Sequence, residues 1–155
     1  MSATEAGRVS VLNGSFPNEL SIGATYKVFN KIVEVESTDA PELIDFTDTA
    51  RQLVAESGVN NGQITIFSTH TTFSVMINEN EPLLLKDIEH FLERCAPKDA
   101  YYGHNDFELR TVSMRPNECP NGHAHCQHMI LGTSEILPII AGNLTLGEFQ
   151  RIFLV

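Results

Sequence analysis

Histidine is the residue of this sequence best suited to chemistry, and five of the six histidines fall between His90 and His128. Three of them, His123, His125 and His128, lie in the short segment NGHAHCQHM. On a strand His123 and His125 would share a face, whereas on a helix His125 and His128 would. Neither spacing is the i, i+4 pair of the HExxH metalloproteases, and a metal would need a further ligand from elsewhere. The segment alone therefore indicates a functional site without specifying one.

His70 is the histidine with the most informative surroundings. It lies in GQITIFSTHTTFSVMIN, whose β-branched and aromatic residues predict one long buried strand with a bend, or two strands. A buried imidazole needs a partner, because an unpaired buried polar group costs about 1–3 kcal/mol. Two interpretations follow: a core histidine held by a backbone carbonyl, or a polar pocket that the hydroxyls of Thr71, Thr72 and Ser74 line.

Polar residues at the end of this strand and in the last predicted strand are further candidates. Asn78 and Glu79 end the long strand, where Glu79 would serve as a general base or orient a histidine, or both would be turn residues. Gln150 and Arg151 lie in the last apolar strand, and alternation places one of them inward. Histidines with Cys119 and Cys126 resemble a zinc ribbon only weakly, because the C-x6-C spacing exceeds that of a zinc knuckle.

The elements that must position these residues follow from hydrophobic periodicity. One helix is predicted from an N-cap at Thr47 to Gly58, and a second opens at Pro82 and ends at Pro97, with Cys95 on its apolar stripe. A short third helix ends at Gly132. Strands are predicted after residue 25, around residues 43–46, and in three runs after residue 135. Residues 98–122 lack a period and predict a loop of functional or flexible type.

The composition limits the function classes. The chain has 155 residues and a formal net charge of −10, which fits one domain and disfavours nucleic acid and anionic membranes as partners. The odd count of three cysteines favours a reducing compartment. No apolar leader or spanning segment is visible, so we expect a cytoplasmic protein. Few helices and many strands predict an α+β fold, with residues 1–24 as an N-terminal arm or edge segment and 25–155 as a single domain.

Four motifs in order resemble those of the YjbQ family, proteins described as secondary thiamine-phosphate synthases. They are STHTTFSVMINEN, YYGH, NGHAHCQHMILGTSEILPI and GNLTLGEFQRIFLV, and the resemblance covers about residues 28–155. It implies a mostly antiparallel β-sheet packed with two or three α-helices, and a homotrimer. Phe73 and Phe149 depart from the family pattern, which has a small residue and Trp there. The family typically continues about ten residues further, with a glycine and arginines that suit phosphate.

The resemblance also implies roles for residues. It brings His70, His104 and His125 together as metal ligands, and it makes Glu79, His70 and His125 the catalytic candidates. A set of substrate-binding candidates accompanies them: Thr71, Thr72, Asn78, Asn121, His123 and Gln150. His90 and His128 are expected to be structural or at the surface.

The implied activity joins a pyrimidine pyrophosphate to a thiazole phosphate, giving thiamine phosphate and pyrophosphate. The expected cofactor is a divalent metal, and three neutral imidazoles suit Zn²⁺ better than Mg²⁺. The expected partner is a small phosphorylated molecule. Alternatives are a metal-dependent hydrolase of such a molecule, a non-catalytic module that binds a metal or small ligand, and a scaffold with structural histidines.

Overall fold

The fold alternates short strands with three helices along the described part of the chain. The computed structural model of the protein describes residues 8–12 and 26–155. The elements are β1 (Arg8–Leu12), β2 (Ile32–Glu36), β3 (Ile44–Asp45), α1 (Thr47–Ser57), β4 (Gly62–Phe67), β5 (Val75–Glu79), α2 (Pro82–Cys95), a 3₁₀ turn (Gly103–Asn105), α3 (Gly122–Leu131), β6 (Ser134–Ile140), β7 (Asn143–Leu144) and β8 (Gln150–Leu154).

The strands form three small sheets in which every described pairing is antiparallel. β8 lies between β3 and β5, β6 lies between β4 and β7, and β1 pairs with β2. The α+β class expected from the sequence, with mostly antiparallel strands and three helices, is confirmed. β1 falls inside the segment predicted as an arm or edge, and residues 1–7 and 13–25 of that segment lie outside the described residues.

The apolar core lies between the two three-stranded sheets and α1. Buried apolar side chains come from both sheets and from α1, and burial of such side chains is the main stabilising contribution to folding. The core residues are Ile44, Phe46, Ala50, Leu53, Val75, Leu137, Ile152 and Leu154. β5 therefore contributes its buried end to the core, which fixes the segment that precedes it.

The helices begin and end close to the predicted residues. α2 starts at Pro82, with the Glu81 carboxylate accepting from the backbone N–H groups of Leu83 and Leu84, and α1 ends at Gly58 in the left-handed conformation. Thr47 is a correction: it lies inside α1, and its hydroxyl accepts from the Ile152 N–H instead of capping the helix. Among the described residues, none of the helices has the length and apolar composition of a membrane span.

Two burial expectations are wrong. The long apolar segment folds as β4 and β5, and His70 lies exposed in the turn between them instead of inside a buried strand. The Ser68 side chain makes this turn, because its hydroxyl lies 3.2 Å from the His70 backbone nitrogen and 3.3 Å from its oxygen. Cys95, whose place on the apolar stripe predicts a core residue, is also exposed and lies in the last turn of α2 beyond the buried Leu92.

Candidate functional site

A large open cleft of about 2040 Å³ collects most of the candidate residues. The β4–β5 turn, the segment after the 3₁₀ turn and helix α3 contribute to its wall. Its chemistry-bearing side chains include His70, Thr71, Thr72, His104, Arg110, Glu118, Asn121, His123, His125 and His128. Seven of the sequence-predicted site residues therefore line this cleft: His70, Thr71, Thr72, His104, Asn121, His123 and His125.

The 3₁₀ turn is locked against the start of α3, and this contact positions His104. The Asn105 side-chain oxygen accepts from the backbone N–H groups of Asn121 and Gly122, at 3.1 and 2.8 Å. These are two of the amide groups that a helix leaves unpaired at its N-terminus. A Cβ on Gly122 would lie 2.6 Å from the Tyr102 Cβ, so only glycine permits this close approach.

His104 and His125 form the centre of the site. Their ring centroids are 4.6 Å apart, and the rings meet edge to face at 75°. His104 Nε2 is buried, has no hydrogen-bond partner among the described residues, and lies 3.7 Å from Glu118 Oε1. The pairing of His104 with His125 that the resemblance implied is therefore present in the structure, with a carboxylate beside it.

Arg110 organises the loop that carries this carboxylate. Its guanidinium pairs with Glu118 and also donates to the backbone oxygens of His104, Val112 and Ser113. The Arg110 hydrogen bond lowers the pKa of Glu118, so this carboxyl stays ionised around neutral pH. Because Arg110 donates to protein groups on each of its nitrogens, it acts as a support of the site and not as a free cation for a ligand.

His125 is held as a neutral imidazole. Burial lowers its pKa, and the nearby His104 lowers it further, while a hydrogen bond to the Thr71 backbone acts in the opposite direction. A ring nitrogen that donates to a backbone carbonyl fixes the tautomer and leaves the other nitrogen as an acceptor. His125 can therefore accept a proton or a hydrogen bond on its second nitrogen.

His70 differs from His125, because the ring nitrogen of His70 that contacts the backbone accepts a hydrogen bond instead of donating one. The Thr72 backbone N–H donates to His70 Nδ1 at 3.3 Å, and the Thr72 hydroxyl lies 2.9 Å from the same nitrogen. Nδ1 is thus already used as an acceptor. The hydroxyl of Thr72 serves this turn, whereas Thr71 contributes its backbone to His125.

These donor states do not fit the expected three-histidine metal centre. A histidine ligates a metal through an unprotonated nitrogen, and the His70 nitrogen that is unprotonated is the one that Thr72 occupies. Residues 8–12 and 26–155 contain no group of three or more His, Cys, Asp or Glu side chains that could hold a metal ion. The described residues therefore do not fit the expected three-histidine metal site.

Helix α3 adds polar atoms that lack protein partners. Asn121, His125 and His128 recur at i, i+4 and i+7, which is one helical face. The side-chain oxygen of Asn121 and Nε2 of His128 are buried without a hydrogen-bond partner among the described residues. His123 is only 4% exposed, and neither of its ring nitrogens has a partner in this part of the chain. His128, expected to be structural or at the surface, thus lines the cleft.

Three candidates lie elsewhere, at the far end of β5. Asn78 and Glu79 are exposed, and Glu79 pairs with Gln150 across the β5–β8 ladder. The Gln150 side chain accepts from the Gly147 N–H, and the Asn78 side chain from the Glu79 N–H. We call Asn78, Glu79 and Gln150 the strand-end patch. The structure does not bring it to the histidines within one chain.

Sequence reasoning missed the residues that support the pair. Arg110 and Glu118 lie in a stretch without periodicity, and nothing local indicates that they pair. Asn105 and Gly122 could have been found from the sequence. Asn105 follows the candidate His104, and an Asn there suggests capping of a helix. Gly122 lies at the start of the predicted third helix, where a glycine permits close approach of another segment.

Known proteins resemble the chain over most of its length. Residues 31–155 match the family described as UPF0047 protein YjbQ-like. A UPF0047 protein of Methanothermobacter thermautotrophicus is 35% identical over 134 residues, covering 86% of each chain. A protein from Sulfolobus solfataricus, described as YbjQ-like and of unknown function, superposes with a TM-score of 0.64 at 33% identity, over 74% of this chain and 75% of that one.

A second solved structure, an uncharacterised conserved protein from Clostridium acetobutylicum, gives a TM-score of 0.62 at 32% identity. The match covers 73% of this chain and 78% of that chain. The matched residues 31–155 include β2 to β8, the three helices and the segments that carry the histidine pair. The chain belongs to the YjbQ-like UPF0047 family.

Proposed function

We propose that this protein is an enzyme that binds a small phosphorylated molecule in the histidine cleft and uses the His104–His125 pair for proton transfer. The observation that supports this most is the contact of the two rings, with His125 kept neutral and one of its nitrogens oriented by Thr71. A neutral imidazole in a cleft is the usual general base near neutral pH. The buried, unpartnered Nε2 of His104 supplies a second polar atom for a ligand.

The charge distribution favours local recognition of the anion. The net charge of −10 repels phosphates at long range, and Arg110 is committed to protein groups. The cleft is also lined by other cations, among them Lys98 and Arg115, and its further donors include imidazole N–H groups and the hydroxyl of Thr71. Such hydrogen bonds are stronger when the acceptor oxygen is ionised, so the cleft suits a ligand with one or two phosphate groups.

The first candidate reaction is the transfer that the family resemblance implies. A pyrimidine pyrophosphate and a thiazole phosphate are joined, and pyrophosphate leaves. Electrostatic stabilisation of the leaving group is the main requirement of this chemistry. In this chain the imidazole donors would meet that requirement.

The second candidate is hydrolysis of a small phosphorylated molecule. The acceptor nitrogen of His125 beside His104 favours it, because that arrangement can take a proton from a bound water. A non-catalytic binding module is the outcome if ligands bind without turnover. The homotrimer and the cytoplasmic location stay predictions under each of these functions.

The test compares two histidine variants in the purified protein. The wild type is incubated with the pyrimidine pyrophosphate and thiazole phosphate pair, and separately with a panel of small phosphate esters, while product and released phosphate are measured. We expect His125→Ala to lose turnover and His90→Ala, which changes an exposed histidine outside the cleft, to retain it. Equal rates in wild type and His125→Ala would contradict the proposal.

A further inference from the structure

The ring of His70 has one hydrogen-bonded edge and one open edge. Two groups of Thr72 meet Nδ1: the backbone nitrogen at 3.3 Å and the hydroxyl oxygen at 2.9 Å. A backbone N–H can only donate, so Nδ1 must be the acceptor. A neutral imidazole has one N–H, and with Nδ1 as the acceptor the hydrogen is on Nε2.

The turn that imposes this arrangement is local and self-contained. The Ser68 hydroxyl bonds both backbone groups of His70, and the Phe73 N–H donates to the His70 oxygen at 3.4 Å. Side chain and backbone of residue 70 are therefore held by groups within five residues of it. The ring orientation does not depend on a ligand, and His70 stays exposed on the cleft wall.

We propose that His70 presents a fixed Nε2–H donor to the cleft, and that this donor binds an anionic oxygen of the ligand instead of a metal ion. His70 and His125 then have complementary roles, because His125 donates to the Thr71 backbone and keeps an acceptor nitrogen free. The phosphate class of the ligand depends on the proposed function, whereas the tautomer depends only on the Thr72 contact.

The tautomer is measured directly by NMR of protein labelled with ¹⁵N-histidine. The two ring nitrogens have well separated shifts when protonated and unprotonated. We expect an unprotonated Nδ1 and a protonated Nε2 for His70, with the same pattern after addition of Zn²⁺. Loss of the Nε2 proton on adding Zn²⁺, or a proton on Nδ1 in the free protein, would overturn the inference.

A variant pair tests the donor role. The amide nitrogen of Gln reaches the position of Nε2, whereas that of Asn reaches the position of Nδ1. With inorganic pyrophosphate as the probe in calorimetry, we expect His70→Asn to weaken binding about tenfold, as for the loss of one charge-assisted hydrogen bond. His70→Gln should retain affinity within about threefold.

The outcomes separate this inference from the proposed function. Equal losses in His70→Gln and His70→Asn would overturn the donor role. A protonated Nε2 together with no binding of pyrophosphate by the wild type would overturn the proposed function and leave the donor tautomer standing. Loss of turnover in His125→Ala with a protonated Nδ1 in His70 would support the function and overturn the inference.

Discussion

The two ends of β5 differ in what they offer a ligand. At the end that follows the His70 turn, the cleft contains polar atoms that are buried and have no partner among the described residues, including His104 Nε2 and the Asn121 side-chain oxygen. At the other end, the strand-end patch is exposed, and its amide side chains bond to neighbouring backbone groups. Buried polar atoms without partners favour a ligand, because leaving them unpaired is costly.

The length of β5 explains why the strand-end patch lies far from the histidine cleft. β5 runs from Val75 to Glu79, and at about 3.4 Å per residue this places the two strand ends about 14 Å apart. A general base must lie within hydrogen-bond distance of its proton, or one water away. A motif that is continuous in the sequence therefore reaches two separate places, and Glu79 cannot assist His125 of its own chain.

The largest expected effect distinguishes the two ends by activity. His125→Ala should lower kcat/KM for the substrate of the cleft at least about 100-fold, the usual contribution of a general base. Glu79→Gln should leave it within about twofold, since the carboxylate lies outside the cleft. The measurement is steady-state kinetics of both variants beside the wild type.

A large loss of activity in Glu79→Gln would require the strand-end patch of one copy to meet the histidine cleft of another copy, as an oligomer could arrange. Mixing Glu79→Gln with His125→Ala would then restore part of the activity. No recovery on mixing would attribute the Glu79 effect to the same chain.

The sequence predicted the helices and strands better than it predicted where individual side chains lie in the fold. Hydrophobic periodicity and the Pro82 signal located α2, which runs over Pro82–Cys95, because helix limits depend on local chemistry. The exposure of His70 was not predictable in this way. It results from the Ser68 turn, which interrupts a segment whose composition alone is that of one strand.

The sequence predicted only part of the candidate site, because local patterns do not show which distant residues meet. His104 and His125 belong to two recognisable motifs, and the structure brings them into contact. The pairing of Arg110 with Glu118, and the placement of Gln150 opposite Glu79, depend on chain folding over long sequence separations. Alternation limits which residues of a strand face inward, but it does not identify the distant segment with which a strand or loop pairs.

The second prediction concerns the contact that holds the histidine pair together. Gly122→Ala should lower the free energy of unfolding by about 1–3 kcal/mol, because the new Cβ would lie 2.6 Å from the Tyr102 Cβ. Separation of the 3₁₀ turn from α3 should also reduce activity. Gly103→Ala is the matched control, since its Cβ would meet nothing within 4 Å, and it should change stability by less than about 0.5 kcal/mol. Urea unfolding of both variants measures the difference.

The third prediction is that His123 in the cleft and Asp45 in β3 affect the free energy of unfolding in different pH ranges. Burial lowers the pKa of His123, and Lys98 lowers it further while Glu93 raises it. The unfolded chain then binds more protons than the folded chain below about pH 6.5, so the free energy of unfolding falls as the pH drops through this range. His123→Leu should flatten the decline. An unchanged slope between pH 7 and 5 would contradict the prediction.

The stabilisation that Asp45 of β3 provides should be lost only in more acidic solution. Burial raises the pKa of Asp45, but hydrogen bonds from Thr47, Arg151 and Asn80 outweigh it, so the net pKa lies below its ordinary value. This stabilisation is present above about pH 4 and is lost as the pH falls through the folded-state pKa. Asp45→Asn should therefore reduce the pH dependence below pH 4 and leave the decline near pH 6 unchanged.

The smallest expected effect comes from the strand-end patch itself. Gln150→Ala removes one exposed hydrogen bond, from the Gly147 N–H to the Gln150 side chain, which contributes about 0.5–1 kcal/mol to stability. Because the patch lies outside the cleft, binding of inorganic pyrophosphate should be unchanged within error, while Thr72→Val, which removes a hydroxyl beside His70, should weaken it. Calorimetry of the two variants tests the contrast. Weaker pyrophosphate binding in Gln150→Ala than in Thr72→Val would place the anion at the strand-end patch and reverse the roles assigned to the two ends of β5.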